Sequence, residues 1–190
     1  MPSWLRAAAQ KTTKALSDEE VIKILGYVKQ KYKNALLLEV NTGLRISDAI
    51  KLKYSDIANG KLEIIEKKTK KPQITKINKD LVKYLNNNRT TTSDYLFLKG
   101  EKDIEIECKN FIRSLQKAII EACDMENIDS RFISTHSFRK TFATKAYRET
   151  KDILIVKGLL NHSDVSVTQR YIGVNKDEID SIREKTRIGF

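Results

Sequence analysis

The sequence predicts an α+β domain that is mainly helical, with a small antiparallel sheet packed on a helical core. Three observations predict it. Apolar residues recur at helical spacing through most of the 190 residues. One stretch, Lys61 to Ile77, instead alternates with the period of a strand on either side of a basic turn. The composition is globular, 40% hydrophobic and 32% charged with 7 Gly and 2 Pro, and the length suits one domain with a genuine core.

The elements follow in order. Residues 1–14 read as a basic leader or linker, 15–174 as the domain and 175–190 as a tail. Ser17-Asp18-Glu19-Glu20 is a capping box, and Val21, Ile22, Leu25 and Val28 continue it at helical spacing. Ala35 to Val40 is apolar nearly all round, which predicts a central helix, and Gly43 is placed to end it in the left-handed conformation. A short helix is expected from Ile46 to Leu52. Asn59-Gly60 marks a turn, residues 61–66 a strand, Lys67 to Lys71 the next turn and residues 73–77 the returning strand. Helices are expected at about 79–88, 105–123, 137–149, 152–161, 164–171 and 175–187.

Charge narrows the partners. The formal net charge is +11 and the pI about 9.5, which favours a polyanion, because each phosphate neutralised releases counterions. Cys108 and Cys123 are the only cysteines and form no CxxC pair, so two buried thiols in a reducing compartment are expected. No stretch reaches the roughly 18 apolar residues of a membrane span, and the N-terminus lacks an apolar signal core. A soluble protein of the bacterial cytoplasm, associated with the nucleoid, is the expectation.

The chain has 2 histidines, and both stand beside an arginine or a tyrosine. His136 opens His136-Ser137-Phe138-Arg139; His162 lies in Leu160-Asn161-His162-Ser163, shortly before Gln169-Arg170-Tyr171. Upstream, Thr42-Gly43-Leu44-Arg45 puts a further arginine at the mouth of a helix. Two arginines, two histidines and a tyrosine suffice to hold a phosphodiester and attack it without a metal. His136 and Arg139, three apart, share a helix face; Phe138 and Phe142 on the neighbouring face are expected in the core, with Arg139 pointing outward.

Taken together, Thr42-Gly43-Leu44-Arg45-Ile46-Ser47-Asp48, the Lys68-Thr69 hairpin, Thr135 to Ala143, Leu160 to Ser163 and Thr168 to Tyr171 resemble the catalytic domain of the tyrosine recombinases, the phage-integrase family. The match runs over roughly residues 15–175 in family order. It implies site-specific cleavage and rejoining of double-stranded DNA through a 3′-phosphotyrosyl intermediate, by a homo-tetramer on DNA that is a monomer in isolation. It implies no cofactor, no metal and no ATP.

The resemblance assigns Arg45, Arg139 and His162 to the phosphate, where guanidinium forks suit the charge that develops on its oxygens. Tyr171 is the implied nucleophile. With a pKa near 10, about one tyrosine in 10³ is ionised at pH 7, a deficit of roughly 4 kcal/mol that clustered cations and a base must offset. His136 is the implied base. Lys68, which precedes Thr69, is the implied general acid for the leaving 5′-oxygen. Lys67, Lys70 and Lys71 are expected on the DNA backbone, and Asp48 resembles the acidic position that supports the arginines. The alternatives are a type IB topoisomerase using the same nucleophile and arginines, and a non-catalytic DNA-binding remnant of an integrase. Family members usually carry an N-terminal core-binding domain, so the chain is expected to be either a small stand-alone recombinase or an excised catalytic domain. The tail docks either on its own domain or on a neighbouring protomer.

Overall fold

The computed structural model describes residues 13–58, 60–65, 72–100, 103–172 and 184–185. The chain divides into two compact units, Met1–Phe142 and Ala143–Phe190. In the first, α1 (Asp18–Tyr27), α2 (Gln30–Thr42) and the short α3 (Ile46–Ala49) are followed by a 3-10 turn at Tyr54–Ile57. Strands β1 (Lys61–Ile65) and β2 (Pro72–Lys76) come next, then α4 (Lys79–Asn87), α5 (Ile104–Met125), a second 3-10 turn at Ser130–Phe132 and the start of α6 (Thr135–Thr150), a helix that the boundary after Phe142 divides between the units. The described residues are mainly helical.

The core of this unit is built on α2 and α5. Along α5, Cys108, Phe111, Leu115, Ile119, Ala122 and Cys123 are buried, a spacing of threes and fours that lines one stripe of the helix. From α2, Ala35, Leu36 and Leu38 are fully buried, and Tyr32 meets Phe111 edge to face at 5.4 Å between ring centres. Leu115 is completely enclosed, so truncating it to Ala costs about 2–5 kcal/mol. Cys108 and Cys123 are free buried thiols, and burial pushes the Cys123 thiol up to about 11, which makes it inert at neutral pH.

The caps act as their residue types dictate. Ser17 Oγ accepts the Glu20 N–H at 3.1 Å while Glu20 Oε2 accepts the Ser17 N–H at 2.9 Å. Gly43, at φ 67°, ends α2 in the left-handed region with its N–H bonded to the Glu39 carbonyl. β1 and β2 pair antiparallel, Lys61 opposite Lys76 and Ile65 opposite Pro72, and Leu62 is fully buried in the core.

Three expectations change. The inward residues of α1 are Val21, Ile24 and Leu25, with Val28 just beyond, while Ile22 is 69% exposed; the true stripe runs i, i+3, i+4, i+7, and Ile22 lies off it. The helix after Arg45 ends at Ala49, not Leu52. There the backbone is claimed by a distant strand-like segment: the Leu52 carbonyl accepts the Leu96 N–H and the Tyr54 N–H donates to the Asp94 carbonyl. Phe138 is fully buried, but Phe142 is only half-buried.

The second unit holds α7 (Ile153–Leu159) and α8 (Val165–Ile172), which pack on each other. Asp152 Oδ1 caps α7 by accepting the Leu154 N–H at 2.7 Å. Val156, Leu160 and Ile172 are buried. Of the expected tail helix only Glu184 and Lys185 are described, both helical and exposed. Among the described residues no helix is long and apolar enough to cross a membrane.

Candidate active site

In the first unit the site begins at the end of α2. The left-handed turn at Gly43 lets the chain leave α2 and enter α3 with Arg45 as its N-cap residue, extended at φ −70° and ψ 139°. Arg45 is half-buried, and its carbonyl accepts the Asp48 and Ala49 N–H groups at 2.9 Å each. Asp48, one turn into the segment, is buried rather than a surface residue.

Residues far along the chain fix the start of α6. The Gln116 amide, on α5, accepts the Thr135 N–H at 3.2 Å and donates to the Ile133 carbonyl at 3.2 Å. Nearly two turns in, Thr141 Oγ1 accepts the Leu16 N–H at 2.7 Å. Between these anchors His136 is exposed and Arg139 is only 1% exposed. The outward-pointing Arg139 expected from sequence is therefore corrected: its side chain turns into the protein, and Nη1 donates to the Gly43 carbonyl. That contact brings Arg139 onto the turn that leads to Arg45.

A buried guanidinium needs compensation. Desolvating an ion costs several kcal/mol, and one neutral hydrogen bond contributes only about 1 kcal/mol net. Glu39, on the last turn of α2, is completely buried and feels the Arg139 charge. Burial pushes its carboxyl well above the usual range, while the Arg139 charge and the Ile46 N–H pull it down. The Ile46 N–H lies near enough to favour the ionised form but outside hydrogen-bonding geometry, and among the described residues neither Glu39 oxygen has a hydrogen-bond partner.

In the second unit, α7 ends in a Schellman turn. Asn161 is left-handed at φ 50°, its N–H bonds the Gly158 carbonyl, and the His162 N–H bonds the Lys157 carbonyl, both at 3.0 Å. The turn delivers His162 into a buried position, where Nδ1 sits 3.0 Å from Thr168 Oγ1 on α8. Thr168 is itself fully buried, so the imidazole is locked in orientation. The backbone of Tyr171 lies in the last turn of α8. Its side chain, together with Lys67, Lys68, Lys70 and Lys71, lies outside the described residues.

The model of the phage integrase family matches residues 14–178. The chain belongs to the phage integrase family. A probable integrase/recombinase of Bacillus subtilis (strain 168), YoeC, is 32% identical over 169 residues, covering 85% of this chain and 89% of that protein. A probable integrase/recombinase of Acholeplasma phage L2 is 29% identical over 149 residues, covering 76% of this chain and 50% of that protein. The chain thus spans most of the first relative and half of the second. Among solved structures, XerH recombinase in a post-cleavage complex with its palindromic difH substrate superposes with a TM-score of 0.67 at 20% identity, covering 91% of this chain and 53% of that one. At that identity the likeness establishes the shared fold.

Within this integrase-family chain, sequence reasoning missed the burial of Glu39 and, although Thr168 stands in a quoted motif, its contact with His162. Glu39 carried a usable signal, a single acidic residue inside the apolar run Ala35 to Val40. Thr168 gave no sign of that contact, because it depends on how α7 and α8 pack.

Proposed function

We infer that this chain is a tyrosine-type site-specific DNA recombinase that cleaves and rejoins double-stranded DNA through a 3′-phosphotyrosyl bond. Membership of the phage integrase family supports the activity. The observation that carries the site is Arg139, a permanently charged side chain buried against the turn that presents Arg45. So costly a group in a core suits a dianionic transition state that two fixed guanidinium groups stabilise.

In this reading the Tyr171 oxygen attacks phosphorus and passes its proton to His136. Arg45, Arg139 and His162 bind the non-bridging oxygens. With Nδ1 accepting from Thr168, His162 carries its proton on Nε2, the form that donates to phosphate. The 5′-oxygen departs with a proton from Lys68, which falls between β1 and β2 in the sequence; the β1–β2 ribbon serves as the small sheet of the family fold. One P–O bond replaces another, so religation by the 5′-hydroxyl needs no ATP. Lys67, Lys70 and Lys71 hold the DNA backbone and Asp48 supports Arg45 and Arg139.

The partners that follow are double-stranded DNA and further copies of the chain, four of them on two duplexes, with residues 15–174 as the catalytic domain and 175–190 as a docking tail. The cytoplasm of a bacterium, at the nucleoid, is the proposed location. The test is covalent capture on nicked duplex DNA. Wild type forms SDS-resistant protein–DNA adducts, and Tyr171→Phe forms none while still binding DNA. Adducts that survive Tyr171→Phe overturn the nucleophile. Plasmid relaxation without any Holliday junction would turn the reading to a type IB topoisomerase.

A further inference from the structure

We propose that residues 13–16 form a strap that sets the pose of the helix start carrying His136 and Arg139, with Lys140 and Thr141 as the positioning residues that hold it. The inference rests on the reading of His136 and Arg139 as members of the reaction centre given above.

Hydrogen bonds tie the strap to one short stretch of chain. The Lys14 N–H donates to the Phe132 carbonyl at 2.9 Å, just before α6 begins. Lys140 Nζ donates to the Thr13 carbonyl at 2.9 Å. Thr141 Oγ1 accepts the Leu16 N–H at 2.7 Å and donates to the Ser137 carbonyl at 2.9 Å. His136 and Arg139 lie between Phe132 and these two side chains. Lys140 and Thr141 stand 127 and 125 residues from their strap partners, so the joint is tertiary and owes nothing to local helix propensity.

The strap is itself held. Leu16 is buried in the core, and Lys14 Nζ pairs with Glu20 Oε1 at 2.6 Å while the other Glu20 oxygen caps α1. Thr141 is buried as well, and its hydroxyl is satisfied both as acceptor and as donor. An apolar side chain of the same shape would fill that space without the directional bonds. Gln116 anchors the stretch where α6 begins, and the strap anchors it again nearly two turns further on. Anchors on either side of His136 and Arg139 fix the tilt of the segment as well as its position. Tilt matters because a misplacement of about 1 Å at a reaction centre can cost roughly 10²-fold in rate.

The probe is a pool of nicked duplexes of randomised sequence. The readouts are DNA affinity, thermal melting and the single-turnover rate of SDS-resistant adduct formation with the full chain saturating the DNA. Thr141→Val keeps the shape and removes the hydroxyl. Below its melting transition it is expected to bind DNA within about twofold of wild type and to form adducts about tenfold more slowly. Thr141→Ser is expected to recover the rate to within about threefold of wild type, because it restores the hydroxyl and not the methyl group. Lys140→Met keeps the stem and is expected to slow adduct formation about threefold at unchanged affinity. Added to Thr141→Val it changes the rate less than about twofold, since both side chains hold one strap. A wild-type rate for folded Thr141→Val, a Ser variant no faster than the Val variant, or a loss of DNA affinity in Lys140→Met each overturns the proposal. The last would place Lys140 on the DNA itself. Should Thr141→Val fail to fold, Lys140→Met decides alone, and its wild-type rate overturns the strap. Failure of the underlying reading looks different: wild type then forms no adducts, or adducts persist in Tyr171→Phe.

Discussion

Arg139 donates from Nη1 to the carbonyl of Gly43, the left-handed residue that ends α2. The two are 96 residues apart in the chain, and the contact makes a helix cap part of the candidate site. A turn that first reads as punctuation between two helices also fixes a buried charge.

Gly43→Ala tests that turn. At φ 67° a Cβ is strained by about 1 kcal/mol, so the variant is expected to lose roughly that much unfolding free energy in urea. Because the Gly43 carbonyl must shift with its backbone, adduct formation on nicked DNA should fall by more than the loss of folded protein explains. Equal losses would separate the turn from the site.

Glu39 makes stability depend on pH with a definite sign. Its folded pKa lies well above the ordinary carboxyl value of 4.5, chiefly through burial, so above 4.5 the folded state holds a proton that the unfolded chain releases. The stability of wild type relative to Glu39→Gln is therefore greatest in acid. It falls as pH rises from about 4.5 towards the folded pKa, then levels off. Urea denaturation of both proteins across a pH series measures the difference. A gap that is flat with pH, or that opens the other way, counts against the raised pKa.

Thr168 orients His162 through the 3.0 Å contact with Nδ1. Thr168→Val keeps the shape and leaves a buried ring nitrogen without that partner, a cost of about 1–3 kcal/mol. Thr168→Ser restores the hydroxyl and is expected to recover most of the adduct-forming rate that Thr168→Val loses. Identical rates for the Val and Ser variants would show that the hydroxyl is not what matters.

Asn161 supplies the left-handed residue of the turn before His162. Asn161→Gly should leave stability within a few tenths of a kcal/mol, whereas Asn161→Ala should cost about 1 kcal/mol. Thermal melting ranks the three proteins. Asn161→Ala melting with wild type would mean that the turn relaxes without cost.

Much of this was legible beforehand because it is local. The Ser17–Glu20 capping box and the Gly43 cap are decided within a few residues, by hydroxyl and carboxylate groups that reach nearby N–H groups and by a missing Cβ. The long stripe of α5 is likewise written in its spacing. Ile22 shows the limit even of local reading: it is apolar and helical yet exposed, because composition names the helix while only the exact angle names the face. α3 shows another limit, since it stops where Leu52 and Tyr54 bond to Asp94 and Leu96, residues that no local window contains.

The candidate site divides in the same way. The order of Arg45, His136, Arg139, His162 and Tyr171, and the family they announce, are properties of the sequence alone, because reactive groups are covalent facts and their spacing survives any packing. Whether Arg139 faces water or the interior was decided by tertiary structure, and so were the complete burial of Glu39 and the contact of Thr168 with His162. Those outcomes depend on desolvation and on contacts across distant segments, and neither exists until the chain has folded.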